Sequence, residues 1–513
     1  MSMSIPQAVS RPLSVAQGLV KRPIDETIVY SKIAVLTGEA AFLATANGRW
    51  CFLNALSLLS RVVGHLTVAL PQDAESLRPE VEAYCTQAWS HGAITVVGDA
   101  LPELLNGAHA ILNVGMESRA ALPWTSINSN GWVARVSSGL ALPSDIDQPN
   151  PLAALMAASL GVTEVFKRIF EVPNEVAPLF ERTEFSLWDL TTAPAALGPP
   201  LPHRLRFADT LLAGAGAIGN AIALLLAQLR IEGRLHIIDR QRYGDENMGT
   251  CLLMDTSDWL NQPKAVRLTA WVKEHSTLTV TGEEISIEAA IAENRVGGLA
   301  VDLILNGFDD VDARREAQRL WPSVIVDGGI SEVGAAVVQY RVDRPDSACL
   351  MCWFEAAKHD EKTLQSRWTG LSSDSLRDSN RQLSDQDIAV ADESKRQWLR
   401  ERQREGKTVC SIITEAQLAT RLGIAANKGF RPSVPFVASA SAALVVAAAI
   451  KAQAFPEAPT PSMFQIGSLF LGPDHSASVE RVPLRHCQCV TRRTSIHALC
   501  TKRASRKLTQ ART

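Results

Sequence analysis

The feature that most constrains this chain is Gly214-Ala-Gly216-Ala-Ile-Gly219, which follows the apolar run Leu211-Leu-Ala and opens a helical stretch. Glycines there let the backbone approach a phosphate, and the helix start offers unpaired N–H groups and a positive dipole end. A second apolar run, Leu235-His-Ile-Ile, ends on Asp239, twenty residues past Gly219. A carboxylate at that point can accept hydrogen bonds from ribose hydroxyls. A helical stretch from Pro263 to His275 comes next, then strand-like runs at 278–280, 301–306 and 323–327. Strands separated by helices pair in parallel, so the segment predicts a doubly wound sheet. On the glycines and Asp239 alone, a nicotinamide dinucleotide suits the pattern at least as well as ATP.

Residues 31–200 carry a looser version of the same alternation, with strand-like runs at 32–38, 65–70 and 93–98. Ile111-Leu-Asn-Val-Gly-Met-Glu-Ser-Arg119 lies beside Ile304-Leu-Asn-Gly-Phe-Asp-Asp-Val-Asp-Ala-Arg-Arg315 as a repeated unit, which implies duplicated architecture. The first copy lacks the full glycine pattern and has Met116 where the second has Asp309. The Pro-rich stretch from Ala193 to Pro202 reads as the linker between the halves.

Residues beyond the glycine loop move the balance from redox to phosphoryl chemistry. Asp245-Glu-Asn247 comes soon after Asp239, Lys264 begins the next helix, and Asp309 is followed five residues later by Arg314. A triphosphate needs cations and a metal-binding carboxylate around it; a dehydrogenase needs neither at these places. In this order the residues resemble the adenylation domain of ubiquitin-activating and ThiF/MoeB-like enzymes. The resemblance implies that Gly214, Gly216 and Gly219 line ATP, that Asp239 holds the ribose, and that Asn247 and Lys264 contact phosphates. It also implies that Asp309 binds Mg²⁺ with Arg314 beside the site. It covers about 201–352 and 435–490, and more weakly 31–200. One departure stands out: the family usually has an Arg three residues after the Asn, where this chain has Thr250. Arg242 and Arg267 are candidates for the missing cation, and Lys32 for the Arg that the family carries near its chain start.

Nine cysteines include two close pairs, Cys349-Leu-Met-Cys352 and Cys487-Gln-Cys489. Four thiolates suit tetrahedral Zn²⁺, and the resemblance implies such a structural zinc where one pair follows the sheet and the other ends the domain. His486 is an alternative ligand. Cys410 follows a charge-rich stretch and precedes an Ala-rich helix. The family's crossover segment, which often carries a nucleophilic Cys, lies there. A thiolate at Cys410 would take an acyl group as a thioester, with Arg404 and Lys407 favouring the thiolate. Cys51, Cys85, Cys251 and Cys500 read as structural or incidental.

The formal charge of −3 gives no reason to expect nucleic acid as a partner. The most apolar run, Val437 to Ile450, holds fourteen residues, short of the roughly 20 that span a bilayer, so it predicts a buried helix and no membrane. Close cysteine pairs without an export signal predict a reducing cytoplasm.

The expected fold is therefore α/β, with two doubly wound Rossmann-like domains and a helical crossover insert. The expected boundaries are an N-terminal segment 1–30, an inactive adenylation-like domain 31–200, an ATP-binding domain 201–352 and 435–490, the insert 353–434 with Cys410, and a basic, solvated tail 491–513. The expected activity is adenylation of a ubiquitin-like β-grasp protein, then thioester formation for transfer to a conjugating enzyme. A sulfur-carrier adenylyltransferase, an NAD(P)-dependent oxidoreductase and a non-catalytic scaffold are the alternatives. A fused inactive half removes the need for a homodimer without forbidding one.

Overall fold

The computed structural model describes residues 7–74, 76–87, 92–145, 148–192, 195–296, 301–344, 346–354, 365–366, 368–378, 381–413, 416 and 434–510. The first sheet is built from β1 (Ile33–Gly38), β2 (His65–Ala69), β3 (Ala93–Val97), β4 (Ala110–Val114), β5 (Trp124–Asn130), β6 (Val133–Ser137) and β7 (Thr183–Ser186). The second contains β8 (Arg206–Ala213), β9 (Glu232–Ile238), β10 (Thr279–Glu283), β11 (Leu303–Asn306), β12 (Val324–Ile330), β13 (Ala335–Arg341), β14 (Met463–Ile466) and β15 (Ser476–Val479). The strand orders are β3-β2-β1-β4-β5-β6-β7 and β10-β9-β8-β11-β12-β13-β14-β15. Strand for strand, the second repeats the first and adds β15. The repeated Ile-Leu-Asn triplets lie on β4 and β11, the equivalent strands. In both sheets the order reverses beside the first strand, and a doubly wound sheet binds ligands at the carboxyl ends of its strands at that point.

Helix Ala46–Leu59 packs on helix Pro151–Ile169 over the first sheet, and Ala217–Gln228 packs on Pro435–Ala454 over the second. The two pairs also touch each other, so one continuous apolar core joins the sheets. Pro435–Ala454 is apolar on every face because every face meets protein. It is long and apolar enough to cross a membrane, yet 94% of its apolar window is buried. Fully burying each large apolar side chain here contributes about 1.5–3 kcal/mol, enough to offset the one charge the helix carries inward. That charge is Lys451, whose Nζ donates to the carbonyls of Leu187 (3.1 Å) and Trp188 (3.0 Å) in the first half. Burial pushes its ammonium down to about 8.

The charge-rich stretch before Cys410 has a small core of its own, made by Leu371, Leu376, Leu383, Ile388, Leu399, Val409 and Ile412. Arg381 clamps Asp387 through two bonds of 2.7 Å, a bidentate geometry that fixes direction as well as charge. The C-terminal stretch differs from the solvated tail its charge predicts: it is helix Arg493–Gln510. Ile496, Cys500 and Arg503 are buried, and Arg503 donates to the carbonyls of Leu320 and Trp321. These three residues share one face at helical spacing, a signal that the surrounding basic residues obscure. Ahead of β1, helix Gln7–Val20 packs against helix Asp245–Met248 of the second half.

Candidate functional site

β8 delivers the chain into the glycine loop at Gly214, whose φ of +97° an L side chain rarely adopts. Its amide donates to the Ile238 carbonyl at 2.9 Å. A Cβ on Gly219 would lie 2.1 Å from the Gly214 carbonyl oxygen, so only glycine lets the helix start this close to the loop. At Gly216 a Cβ would meet no protein atom within 4 Å. The bare backbone there answers no packing demand of the protein, and it fits the close approach of a phosphate.

Asp239 ties the loop to the second strand. Its carboxylate accepts from the Ala215 amide at 2.7 Å and the Gln241 amide at 2.8 Å. Burial raises its pKa, while Lys264 and the two amides oppose that and Asp309 adds to it. Lys264 is 5% exposed, and its Nζ donates to Gln241 Oε1 at 2.9 Å. Burial alone would favour the neutral amine. The charge of Asp239, with smaller help from Cys251, Glu246 and Cys410, more than reverses this and keeps the ammonium charged. Asp239 thus touches the glycine loop and feels both Lys264 and Asp309, so these groups share one end of the sheet.

Other expected residues are spent on the protein. Asn247 Oδ1 accepts from the Gly244 amide at 2.9 Å. Thr250 is 2% exposed and turns its hydroxyl to the Asn247 carbonyl. Arg314 faces the backbone: Nε donates to the Phe308 carbonyl at 2.8 Å and an NH₂ to the Gly328 carbonyl at 3.0 Å. Its remaining nitrogen lies 3.4 Å from Asp327, and its plane lies over the Phe354 ring. Arg314 therefore holds the turn that carries Asp309. Asp327, bonded by Asn306 at 2.7 Å, is pushed up to about 7 by burial in spite of that guanidinium.

The two cations considered for the Thr250 gap, Arg242 and Arg267, and Lys32, considered for the Arg near the chain start, are engaged elsewhere. Lys32 bonds Glu171 and the Ile169 carbonyl in the first half. Arg242 bonds Glu284, and Arg267 lies by Asp258 and over the Trp259 ring. A fourth cation, Arg11, absent from the candidates the sequence suggests, comes from helix Gln7–Val20, and its charge acts on both Cys251 and Cys410. Those thiols in turn act on Lys264. Nothing local in the sequence marks Arg11; its place follows from the packing of that helix on Asp245–Met248.

Cys410 is partly exposed, and its thiol is pushed up to about 11 by burial first and Glu246 second. Lys264 and Arg11 oppose this, and Asp309 adds to it. The cations favouring its thiolate are thus Lys264 and Arg11, not Arg404 or Lys407; Lys407 pairs with Glu405 at 3.4 Å. In the first half, Glu39 stands directly after β1, where Gly214 stands after β8. One oxygen of Glu39 accepts from the amides of Met116 (2.5 Å) and Glu117 (2.8 Å) and from Asn113 Nδ2 at 3.2 Å. A side-chain carboxylate therefore stands after the first strand of this half, at the place where the second half has its glycine loop.

The sulfurs of Cys349, Cys352, Cys487 and Cys489 all lie within 4.8 Å of one another. Three of the edges between them are 3.8, 3.5 and 3.6 Å. A tetrahedron of Zn–S bonds of about 2.3 Å has edges of about 3.8 Å, so the donor set fits zinc. The Leu484 amide also points at Cys352 Sγ, 3.4 Å away, as suits a thiolate. Zinc here would pin the 479–492 segment to the end of the sheet. Cys352→Ser is expected to lose about one zinc per chain by metal analysis and to speed proteolytic cleavage within that segment.

The ThiF family profile matches residues 189–490, more than half of the chain, and a profile of the BilD N-terminal domain matches residues 32–178. The uncharacterized protein y4jF of Sinorhizobium fredii (strain NBRC 101917 / NGR234) is 26% identical over 229 residues, which cover 44% of this chain and 43% of that one. The chain therefore spans less than half the length of this curated relative. Among solved structures, E. coli MccB with MccA-N7isoASN is 16% identical, covering 55% of this chain and 67% of that one, with a TM-score of 0.35. The Microcin C7 biosynthetic enzyme MccB in complex with N-formylated MccA is 12% identical, covering 71% and 97%, with a TM-score of 0.33. On the breadth of the first match, this chain is a ThiF/MoeB-like member of the ThiF family.

Proposed function

We propose that the protein uses ATP to adenylate the C-terminal carboxylate of a ubiquitin-like β-grasp protein and then carries the acyl group on Cys410. One observation carries the reading: the glycine loop, Asp239, Lys264, Asp309 and Cys410 gather at one end of the second sheet. The bare Gly214–Gly219 backbone receives the phosphates, and Asp239 positions the loop while leaving lone pairs for ribose. Asp309, on the turn that Arg314 holds through the Phe308 carbonyl, would be the ligand for Mg²⁺, and the metal would neutralise charge on the triphosphate. Lys264 and Arg11 supply cations where Thr250 supplies none. The partner's carboxylate oxygen attacks the α-phosphate and pyrophosphate leaves. The Cys410 sulfur then attacks the acyl carbon, AMP leaves with the C–O electron pair, and the thiol gives up its proton. A conjugating enzyme would accept the thioester.

The test is incubation of the full chain with ATP, Mg²⁺ and candidate β-grasp proteins, followed by a non-reducing gel and a pyrophosphate assay. Pyrophosphate release with a thiol-sensitive adduct supports the whole reading. Release without any adduct indicates sulfur-carrier adenylation instead, and NAD(P)H binding without release would overturn both.

The electrostatics add a prediction about pH. With its thiol near 11, Cys410 is about one thousandth thiolate at pH 8, so adduct formation should rise about tenfold per pH unit. Glu246 disfavours the thiolate through its negative charge. Glu246→Gln should lower the thiol pKa and speed adduct formation at pH 8. The thiolate loses intrinsic nucleophilicity with a coefficient of only about 0.4–0.5 per unit, so its greater abundance wins. Single-turnover rates across pH 7–10 check this.

A further inference from the structure

The inactive half reaches into the nucleotide-binding half through a buried guanidinium. Arg61 lies just beyond helix Ala46–Leu59 and is 1% exposed. One of its terminal nitrogens donates to three carbonyls of the other half: Cys251 at 3.3 Å, Leu252 at 2.9 Å and Met254 at 3.1 Å. The other is anchored at home, on the Ser57 carbonyl at 2.6 Å and the Tyr84 hydroxyl at 3.0 Å. Ser57 Oγ adds a bond to the Leu252 carbonyl at 3.3 Å.

The gripped carbonyls continue directly from the proposed triphosphate residues. The amides of Thr250 and Cys251 both bond the Asn247 carbonyl, at 3.0 and 2.8 Å, and the Met254 amide bonds the Cys251 carbonyl at 3.1 Å. This is one unbroken series of turns from Asn247 to the carbonyls that Arg61 holds. Its Cys251 side chain faces Lys264 closely enough to affect its charge.

Arg61 is also an expensive way to fill space. Its Nε finds no hydrogen-bond partner, and desolvating a guanidinium costs several kcal/mol before its bonds offset that. An apolar side chain of similar volume would seal the joint without that cost. What Arg61 supplies instead is direction, because its planar fork can hold a run of carbonyls at fixed angles.

We propose that Arg61 is a positioning residue for ATP binding, through which the inactive half sets the 247–254 turns against Lys264. The proposal rests on the adenylation reading above and deepens it: the first half becomes a working part of the nucleotide site. Lys264 and the glycine loop do not touch Arg61, so its effect must travel through the turns.

The test uses a fluorescent ATP analogue with Mg²⁺, titrated into the full chain and into folded Arg61→Met and Arg61→Lys variants. Arg61→Met is expected to weaken binding by about tenfold or more, the scale of a lost charged hydrogen bond, and added guanidinium should restore part of it. Arg61→Lys keeps the charge but not the fork, and is expected to fall between. A folded Arg61→Met that binds the analogue as the parent does overturns the proposal, and so does failure of both variants to fold, which would make Arg61 a folding determinant only. A parent chain that binds no analogue overturns the adenylation reading instead.

Discussion

Cys410→Ala is expected to abolish the thiol-sensitive adduct, with a loss of at least about a thousandfold, while pyrophosphate exchange continues. The size follows from chemistry: without the sulfur no thioester forms, and residual product reflects only hydrolysis of the adenylate. The selectivity follows from order, because pyrophosphate leaves before the thiol acts. Cys251→Ala is the control. Cys251 is fully buried beside Lys264, whereas Cys410 is partly exposed, so Cys251 lacks the access that a nucleophile needs. An adduct that survives Cys410→Ala and disappears in Cys251→Ala would reverse the assignment.

The difference between these thiols is only partly legible in the sequence. Cys410 stands out by its place between a charged stretch and an apolar helix, a local property. Its charged surroundings are not local: Glu246, Lys264, Asp309 and Arg11 come from four separate elements. Proximity in sequence points to Arg404 and Lys407, and the turn after helix Arg396–Arg404 spends Lys407 on Glu405. The glycine loop and Asp239 are readable because the chemistry and its spacing lie within one βαβ unit. The zinc-type pairs are readable as pairs, since Cys-Leu-Met-Cys is a local spacing, whereas their meeting across 135 residues is a product of the sheet. Arg61 is invisible for the same reason. A basic residue just past a helix carries no mark of the carbonyls it will meet in the other half.

Lys264→Met and Asp309→Asn are each expected to reduce ATP–pyrophosphate exchange by about a hundredfold to a thousandfold, the scale of removing one preorganised charge from a site where charge develops. Their effects on stability should differ in sign, and this separates catalysis from folding. Lys264 opposes the burial that raises the Asp239 pKa, so Lys264→Met leaves that carboxylate buried without its cation. Its pKa should climb further. A carboxylate whose folded pKa exceeds its unfolded value favours folding less as pH rises, so the Lys264→Met variant should lose melting temperature progressively as pH rises above about 4, the unfolded carboxylate value. Asp309 acts on Asp239 in the opposite direction, as a like charge. Asp309→Asn removes that repulsion and should hold or raise the melting temperature while exchange is lost. Melting curves and exchange rates on both variants over that pH range check the pair. An Asp309→Asn protein that is stable and exchanges pyrophosphate at the parent rate would remove Asp309 from the metal site and leave the gathered cations without the carboxylate that the reaction requires.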